Sequence, residues 1–243
     1  MTKSKVLSKI NPLILKGVAH RGLHSKSVSE NSLEAFKLAI ENNVAIELDI
    51  HVTKDDQLVV IHDENLKRLT GKEGIVEHLT YPELMEYKLW DGQKIPLFQE
   101  VLDLVHEQVP ILVELKVYEK NYKKVAQKTK EILEKNMIDK KNFVLISFDP
   151  RSLWPLKKMG LVRLLLVAKS HFYTYKLTRH TVEGVDLEDC LFDLKRIQRY
   201  HKKHFVNSWT IESIEQLNKI RPYIDTTTYQ YLSPKEVSDI LAK

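Results

Sequence analysis

Hydrophobic residues occur along this chain as short runs, separated by stretches in which their spacing is different. The runs are rich in Val, Ile and Leu, which is typical of strands that are buried on both faces. Between them, apolar residues recur every three or four positions, which predicts amphipathic helices. The predicted strands span residues 17–19, 44–52, 111–115, 143–148, 162–168, 185–192, 205–209 and 223–227.

Strands that alternate with helices predict a parallel sheet with right-handed crossovers. The number of strand-helix units favours an α/β fold of the closed (β/α)8 type, the TIM barrel, over an open doubly wound sheet. The length of 243 residues agrees with the roughly 250 residues of that architecture, so we predict one domain over 1–243. Residues 1–16 should close or cover the barrel floor. Asn31 or Ser32 should cap the helix after the first strand, and Ser233 the last helix.

A small insertion is predicted at about residues 65–94, carried on the second strand-helix unit. An extra apolar run at 58–61 precedes it, and the residues that follow lack the alternation seen elsewhere. Thr80 and Glu83 form the pattern of a capping box, which predicts the start of a short helix.

Carboxylates inside two of the apolar runs are the first sign of chemistry. Glu47 and Asp49 are two residues apart on a predicted strand, so both side chains lie on one face. Glu114 lies in the next barrel strand. Buried carboxylates are unfavourable unless they are paired or bind a cation, and an all-oxygen ligand set suits Mg2+ or Ca2+. We therefore predict a divalent metal site, with ion pairs to basic residues as the alternative.

Two histidines leave predicted strands beside charged neighbours. His20 follows the first strand, and His62 follows the run at 58–61. Because histidine titrates near neutral pH, the pair suits general acid and base catalysis, although the sequence does not assign the two roles. Asp63 is expected to orient His62 or to anchor its loop.

Two cations, Arg21 and Lys116, lie at predicted strand ends that face the same mouth of the barrel. Arginine can bind a phosphate through two parallel hydrogen bonds, whereas lysine supplies a compact charge. We expect both to bind phosphoryl oxygens. The alternative is that they form salt bridges to Asp63 or Glu114.

Composition narrows the class of protein. Hydrophobic residues make up 43% and charged residues 29% of the chain, as in ordinary soluble globular proteins. The net charge of +5 favours anionic partners in general, but lysines and glutamates are interspersed and no nucleic-acid-binding motif is present. A single cysteine, Cys190, fits a reducing compartment. Without a recognisable signal peptide or an apolar run of about 20 residues, we expect a cytoplasmic protein with no integral membrane segment.

Five short motifs follow one another in a fixed order between residues 20 and 63: H-R-G, E-N-S, E-x-D, T-K-D and H-D. Together they resemble the signature of the glycerophosphodiester phosphodiesterases. The resemblance implies a TIM barrel with a small insertion domain and a role in lipid and glycerol metabolism. It also implies metal-dependent hydrolysis of a small-molecule glycerophosphodiester to sn-glycerol 3-phosphate and an alcohol.

The resemblance extends to individual residues. It supports the three carboxylates as metal ligands and implies that the two histidines flank the scissile phosphate. It further implies that Phe148 and Trp209 form an aromatic wall for the glycerol moiety or the leaving group, with ordinary packing at the top of the barrel as the alternative. Glu30 would orient a ligand or a metal-bound water, with Asn31 and Asp63 in supporting positions. Ser29 stands where many relatives have proline, which puts substrate contacts in doubt more than the chemistry.

Two other functions remain open at this point. One is a phospholipase-type enzyme, a lysophospholipase D or C-like phosphodiesterase that acts on lipids. The other is a barrel without catalytic activity that binds phosphorylated polyols. The attacking group, water or the substrate's own glycerol hydroxyl, and the oligomeric state are also open.

Overall fold

The strands close into a barrel in the computed structural model, which describes residues 2–243. The sheet order is β1-β9-β8-β7-β6-β5-β4-β2-β3, and an additional β1–β2 pairing closes the ring. Neighbouring barrel strands are parallel, whereas β3 adds to β2 in the antiparallel direction. The predicted TIM barrel is confirmed. The strands are β1 (Val18–Ala19), β2 (Ala45–Val52), β3 (Leu58–Val60), β4 (Ile111–Leu115), β5 (Phe143–Ser147), β6 (Val162–Val167), β7 (Gly184–Glu188), β8 (Phe205–Ile211) and β9 (Thr226–Tyr229).

Helices alternate with the strands and cover the outside of the barrel. The α-helices are α1 (Lys3–Leu7), α2 (Leu33–Glu41), α3 (Lys67–Thr70), α4 (Tyr81–Leu84), α5 (Phe98–Val105), α6 (Tyr122–Lys135), α7 (Pro150–Leu153), α8 (Phe172–Thr178), α9 (Lys195–His201), α10 (Ile214–Ile220) and α11 (Pro234–Leu241). The 3-10 helices are Pro12–Lys16, Val76–His78, Lys140–Asn142, Pro155–Met159, Lys169–His171, Arg179–Thr181, Asp189–Asp193 and Arg221–Tyr223.

The alternation of side chains along β2 separates two apolar clusters. Ile46, Leu48 and Ile50 belong to the cluster between the strands and the outer helices. Ala45 belongs to the cluster inside the barrel. Since successive side chains on a strand point to opposite faces, the polar residues that alternate with the isoleucines and leucine point into the barrel.

The N-terminal segment closes the barrel floor, as the sequence predicted. Val6, Ile10 and Ile14 are buried and pack with the apolar residues of the barrel interior. Burial of these side chains excludes water from the floor, so the polar residues of the interior lie towards the opposite, C-terminal mouth.

The predicted insertion has an apolar cluster of its own. Leu66, Val76, Leu84 and Leu89 are buried together, in contact with Ile61 from the end of the β3 segment. The Thr80–Glu83 capping box is present at the start of α4. This segment therefore has a second, smaller core beside the barrel.

Two predicted strands differ from the observed ones by more than two residues at one end. The strand predicted at 185–192 ends at Glu188, because the apolar residues after it are buried in the 3-10 helix Asp189–Asp193. The strand predicted at 223–227 is instead β9, Thr226–Tyr229. Pro222 lies in the preceding 3-10 helix, and proline cannot donate to a strand ladder; the three threonines that follow pair with the neighbouring strands.

The predicted helix caps are correct only in part. Ser32, not Asn31, caps α2, since its hydroxyl accepts a hydrogen bond from the Ala35 N–H at 3.2 Å. Asn31 has a left-handed backbone, with φ of 55°, and its side chain is turned to the site described below. Ser233 occupies the N-cap position of α11, but its side chain makes no capping bond.

Candidate active site

Three carboxylates meet inside the barrel near its C-terminal mouth. Asp49 on β2 pairs in register with Glu114 on β4, and Glu47 lies two residues before Asp49 on the same face. Each offers an oxygen within 4.8 Å of the others. Their exposed fractions are 3% for Glu47, 1% for Asp49 and 7% for Glu114. The sequence-predicted cluster is therefore assembled and is nearly inaccessible to bulk water.

The charges of this cluster oppose one another. Burial, followed by the charges of Asp49 and Glu114, raises the pKa of Glu47 well above its usual value. Burial also raises the pKa of Glu114, to about 7, although the Lys116 charge opposes this. Burial disfavours ionisation of Asp49 as well, but Lys116 and other nearby cations outweigh it and hold its pKa well below the usual range. Additional positive charge would stabilise the ionised form of all three.

Lys116 and Arg21 supply part of that charge. Lys116 Nζ lies 3.1 Å from Asp49 Oδ1 and 2.9 Å from Glu114 Oε1. The Arg21 guanidinium lies 3.4 Å from Asp49 Oδ2 and 2.6 Å from Glu30 Oε1. The salt bridge from Lys116 to Glu114 considered as an alternative is present, while Asp63 pairs with a different arginine.

Local backbone geometry holds the H-R-G segment against this cluster. The Arg21 backbone N–H donates to Glu47 Oε2 at 3.0 Å. Gly22 follows with φ of +79°, and a Cβ there would lie 2.9 Å from the backbone of Ala35. A positive φ and the close approach of α2 both favour glycine. Immediately before the N-cap of α2, Asn31 Nδ2 donates to Asp49 Oδ2 at 2.8 Å.

His20 is held by a neutral partner. Its Nδ1 lies 2.7 Å from Gln230 Oε1, and Gln230 Nε2 donates to Glu212 Oε1 at 2.5 Å. Because the amide oxygen can only accept, Nδ1 carries the proton and Nε2 is left as a base. Burial, followed by the Arg21 charge, lowers the pKa of His20 to about 3, so the ring is neutral at physiological pH.

His62 is held by a charged partner. Its Nδ1 lies 2.6 Å from Asp63 Oδ1, and Asp63 Oδ2 accepts from Arg68 Nε at 2.5 Å. The pKa of His62 is lowered by burial and by the charges of Lys116 and Arg21, although Asp49 and the bond to Asp63 act to raise it. The Asp63 carboxylate thus orients the ring, as the sequence predicted, and favours the imidazolium.

These groups line one cavity. His20, His62, Glu47 and Glu114 border it together with Asp186 and the two predicted aromatic residues. The rings of Phe148 and Trp209 meet edge to face, with centroids 5.5 Å apart and planes at 86°. The cavity continues into a groove of about 1140 Å³ that shares His62, Glu114 and Phe148 and extends to Lys120, Arg151 and Trp154. The structure therefore brings all the sequence-predicted site residues to one mouth of the barrel.

A divalent cation fits the three carboxylates. Their oxygens converge and they are buried, and burial together with their mutual repulsion raises the pKa of Glu47 and Glu114, so a cation would stabilise their ionised forms. Carboxylate oxygens are the ligands that Mg2+ and Ca2+ prefer.

Comparisons with known proteins agree with this geometry. The sequence profile of the glycerophosphoryl diester phosphodiesterase family matches residues 20–211, which include every residue of the site described above except Glu212 and Gln230. The chain belongs to this family.

Similar proteins are found among both named sequences and solved structures. A glycerophosphodiester phosphodiesterase of Caldanaerobacter subterraneus subsp. tengcongensis is 37% identical over 153 residues, which cover 59% of this chain and 62% of that protein. A glycerophosphodiester phosphodiesterase structure from Thermotoga maritima has 29% identity and a TM-score of 0.73, covering 93% of this chain and 96% of that one. The structure of an Oleispira antarctica phosphodiesterase in complex with sn-glycerol-3-phosphate has 21% identity and a TM-score of 0.81. The match covers 93% of this chain and 96% of that one.

Besides Gln230 and Glu212, three polar residues of this phosphodiesterase-family site were not found from sequence. Arg68, on α3 of the insertion, bonds to Glu30 at 2.7 Å and 3.0 Å as well as to Asp63. His51 links Glu77 of the insertion to the backbone carbonyl of His62, at 2.5 Å and 3.1 Å. Because side chains on β2 alternate with a period of two, the sequence could have placed His51 on the same face as Glu47 and Asp49. No sequence pattern indicated Arg68.

The third residue, Asp186 on β7, lies deep in the barrel and is 1% exposed. Burial raises its pKa to about 8. An isolated aspartate in a weakly patterned strand gives no sequence signal of its position.

Every helix within residues 2–243 is too short or too polar to span a membrane.

Proposed function

We propose that this chain hydrolyses glycerophosphodiesters to sn-glycerol 3-phosphate and an alcohol in a metal-dependent reaction. The observation that carries this proposal is the convergence of three buried carboxylates and two histidines on one cavity. Phosphate binding alone needs no pair of proton carriers, so this set favours an enzyme over a binding barrel. The product complex of the Oleispira antarctica relative, which shares the fold, is consistent with the proposed product.

Glu47, Asp49 and Glu114 would hold the metal, with Mg2+ and Ca2+ as the proposed ions. When bound, the ion supplies positive charge that stabilises a phosphoryl oxygen and lowers the pKa of a coordinated hydroxyl group. Asn31 holds Asp49 in place, which fixes the orientation of a ligand carboxylate.

Arg21 and Lys116 bind the phosphoryl oxygens in this proposal. Both side chains are 14% exposed at the mouth of the barrel. Glu30 bonds to Arg21 and Arg68 and so limits the conformations of the Arg21 guanidinium. Preorganised donors of this kind stabilise charge that develops in the transition state.

We assign the two proton-transfer roles from the partners of the histidines. His20 is neutral with a free Nε2, so it acts as the base that takes a proton from water or from the glycerol hydroxyl of the substrate. His62 is bonded to the Asp63 carboxylate, which stabilises its protonated form, so it protonates the leaving oxygen. Phe148 and Trp209 would contact the carbon skeleton of the substrate. Cytoplasmic location and a single domain over 1–243 remain predictions.

The test is the release of glycerol 3-phosphate from a panel of glycerophosphodiesters, with EDTA and after addition of Mg2+, Ca2+ or Mn2+. Metal-restored release supports the proposal. Detergent-dispersed lysophospholipids are assayed in parallel, and turnover of these alone would favour the phospholipase-type enzyme. Absence of turnover with every substrate would contradict both.

Two variants test the roles. Glu47→Ala should abolish metal-dependent turnover, and His62→Ala should abolish turnover while metal still binds. Glu41→Ala is the matched control, because Glu41 lies on the surface of α2 with its side chain 55% exposed. Full activity of either active-site variant would contradict the assignment.

A further inference from the structure

Asp186 is a buried acid to which the mechanism above gives no task. It lies on β7 beside Leu166 of β6 and Asn207 of β8. Across residues 2–243, neither of its carboxyl oxygens has a hydrogen-bond partner. The neighbouring Asn207 amide favours its charged form, and Asn207 Nδ2 also donates to Thr228 Oγ1 at 2.9 Å. Asp186 is thus a buried carboxyl group with unused bonding capacity.

A structural role does not account for this residue. Buried polar side chains in folded proteins nearly always have a partner, because an unpaired one lowers stability. The backbone carbonyl of Asp186 does have a structural role, since it accepts from Trp209 Nε1 at 3.1 Å. The side chain itself holds no neighbour in place. It borders the catalytic cavity together with the glutamates, the histidines and the aromatic wall.

Neither metal ligation nor proton transfer explains Asp186. The carboxylates of residues 2–243 whose oxygens lie close enough to share an ion are Glu47, Asp49 and Glu114, and Asp186 is outside this group. The two histidines already supply a base and an acid. What remains is a contact to the part of the substrate that does not react.

We propose that Asp186 binds a hydroxyl group of the glycerol moiety and thereby determines which half of the diester enters the cavity. This inference rests on the proposed function. Phosphoryl oxygens of a diester only accept hydrogen bonds and carry negative charge, so they could bond only the protonated form of this group and would be repelled by its carboxylate. A hydroxyl group can donate to a carboxylate and can also accept from a carboxylic acid, so the contact forms in either ionisation state.

The surroundings of Asp186 fit such a subsite. Trp209 is fixed next to Asp186 by the bond to its backbone, and its ring meets Phe148. Ile146 and Leu166 border the same cavity. A carbon skeleton can pack against these apolar side chains while one hydroxyl group reaches the single unpaired carboxyl group. A site that bonds a hydroxyl group discriminates strongly against a ligand that lacks it, because its own polar group is then left unpaired.

The experiment compares two phosphate monoesters that differ only in hydroxyl groups. Binding of sn-glycerol 3-phosphate and of n-propyl phosphate is measured by calorimetry with Mg2+ present, for the wild-type protein, Asp186→Leu, Asp186→Asn and the surface control Asp193→Asn. The wild type should prefer glycerol phosphate by about tenfold or more. Asp186→Leu should lose this preference through weaker binding of glycerol phosphate alone, Asp186→Asn should keep part of it, and Asp193→Asn all of it.

Equal binding of the two monoesters by the wild type would overturn the proposal, and this result does not depend on whether a variant folds. An equal loss for both monoesters in Asp186→Leu and Asp186→Asn would also overturn it, because it would show general damage to the cavity.

Turnover separates this proposal from the function on which it rests. If the wild type hydrolyses glycerophosphodiesters but shows no hydroxyl preference, the role of Asp186 is wrong and the function stands. If it prefers glycerol phosphate in binding but hydrolyses none of the diesters, the function is wrong and the subsite is supported. For an active enzyme, Asp186→Leu should lower kcat/KM at least tenfold more with glycerophosphodiesters than with bis(p-nitrophenyl) phosphate, which has no glycerol.

Discussion

Metal binding to the carboxylate cluster should weaken steeply as the pH falls. Glu114 has a raised pKa of about 7 in the metal-free protein, so a metal that uses its carboxylate must displace a proton below that pH. Well below the pKa, one displaced proton lowers the apparent affinity about tenfold per pH unit; since Glu114 is already half protonated at pH 7, this gives about 50-fold between pH 7 and pH 5. Glu47 also has a raised pKa, so a second proton makes the slope steeper.

Calorimetric titration with Mg2+ or Ca2+ at pH 5, 6, 7 and 8 measures this dependence. Repeating each titration in two buffers with different ionisation enthalpies gives the number of protons released. Glu114→Gln is the informative variant: it should bind metal more weakly at pH 8 but should release fewer protons between pH 5 and pH 7. A dissociation constant that is independent of pH from 5 to 8, without proton release, would refute the electrostatic reasoning.

Three further predictions concern single residues. In Asp63→Asn, loss of the carboxylate that favours the His62 imidazolium should move the alkaline limb of the pH–kcat/KM profile to lower pH; an unchanged limb would contradict His62 as the acid. In metal-free protein, Asp186→Leu should raise the free energy of unfolding by about 1–2 kcal/mol, since it removes an unpaired buried group; urea denaturation measures this, and a loss would contradict it. Phe36→Ala, at a fully buried site on α2, should lower the free energy of unfolding by about 3–5 kcal/mol, again by urea denaturation.

The features predicted correctly from sequence depend on strong local patterns. Apolar runs interrupted by single charges gave the barrel strands, and the period of two along β2 placed Glu47 and Asp49 on one face. Because the C-terminal ends of parallel strands meet at one mouth of the barrel, His20 and Lys116 could be expected to lie near these two carboxylates. The roles of these residues stay predictions until the reaction is measured.

The features that were missed depend on contacts between distant parts of the chain. Arg68 reaches Glu30 and Asp63 because the insertion folds back over the mouth of the barrel, and no local pattern encodes that approach. The predicted bounds of β7 and β9 were wrong because each strand adjoins a 3-10 helix. The helix after β7 buries apolar residues, and the helix before β9 contains a proline. Short helical turns bury side chains without a period long enough to recognise.

The separate apolar cluster of the insertion has a consequence for how activity is lost on heating. Arg68 and Glu77 on this segment hold Asp63 and His51, and those in turn hold His62. Small cooperative units open more easily than the whole protein. Opening of the insertion alone would release the side chain and the backbone of His62, the proposed acid, while the eight parallel strands stay paired. Thermal inactivation of this protein would then report the stability of a peripheral segment, at temperatures where circular dichroism still shows an intact barrel.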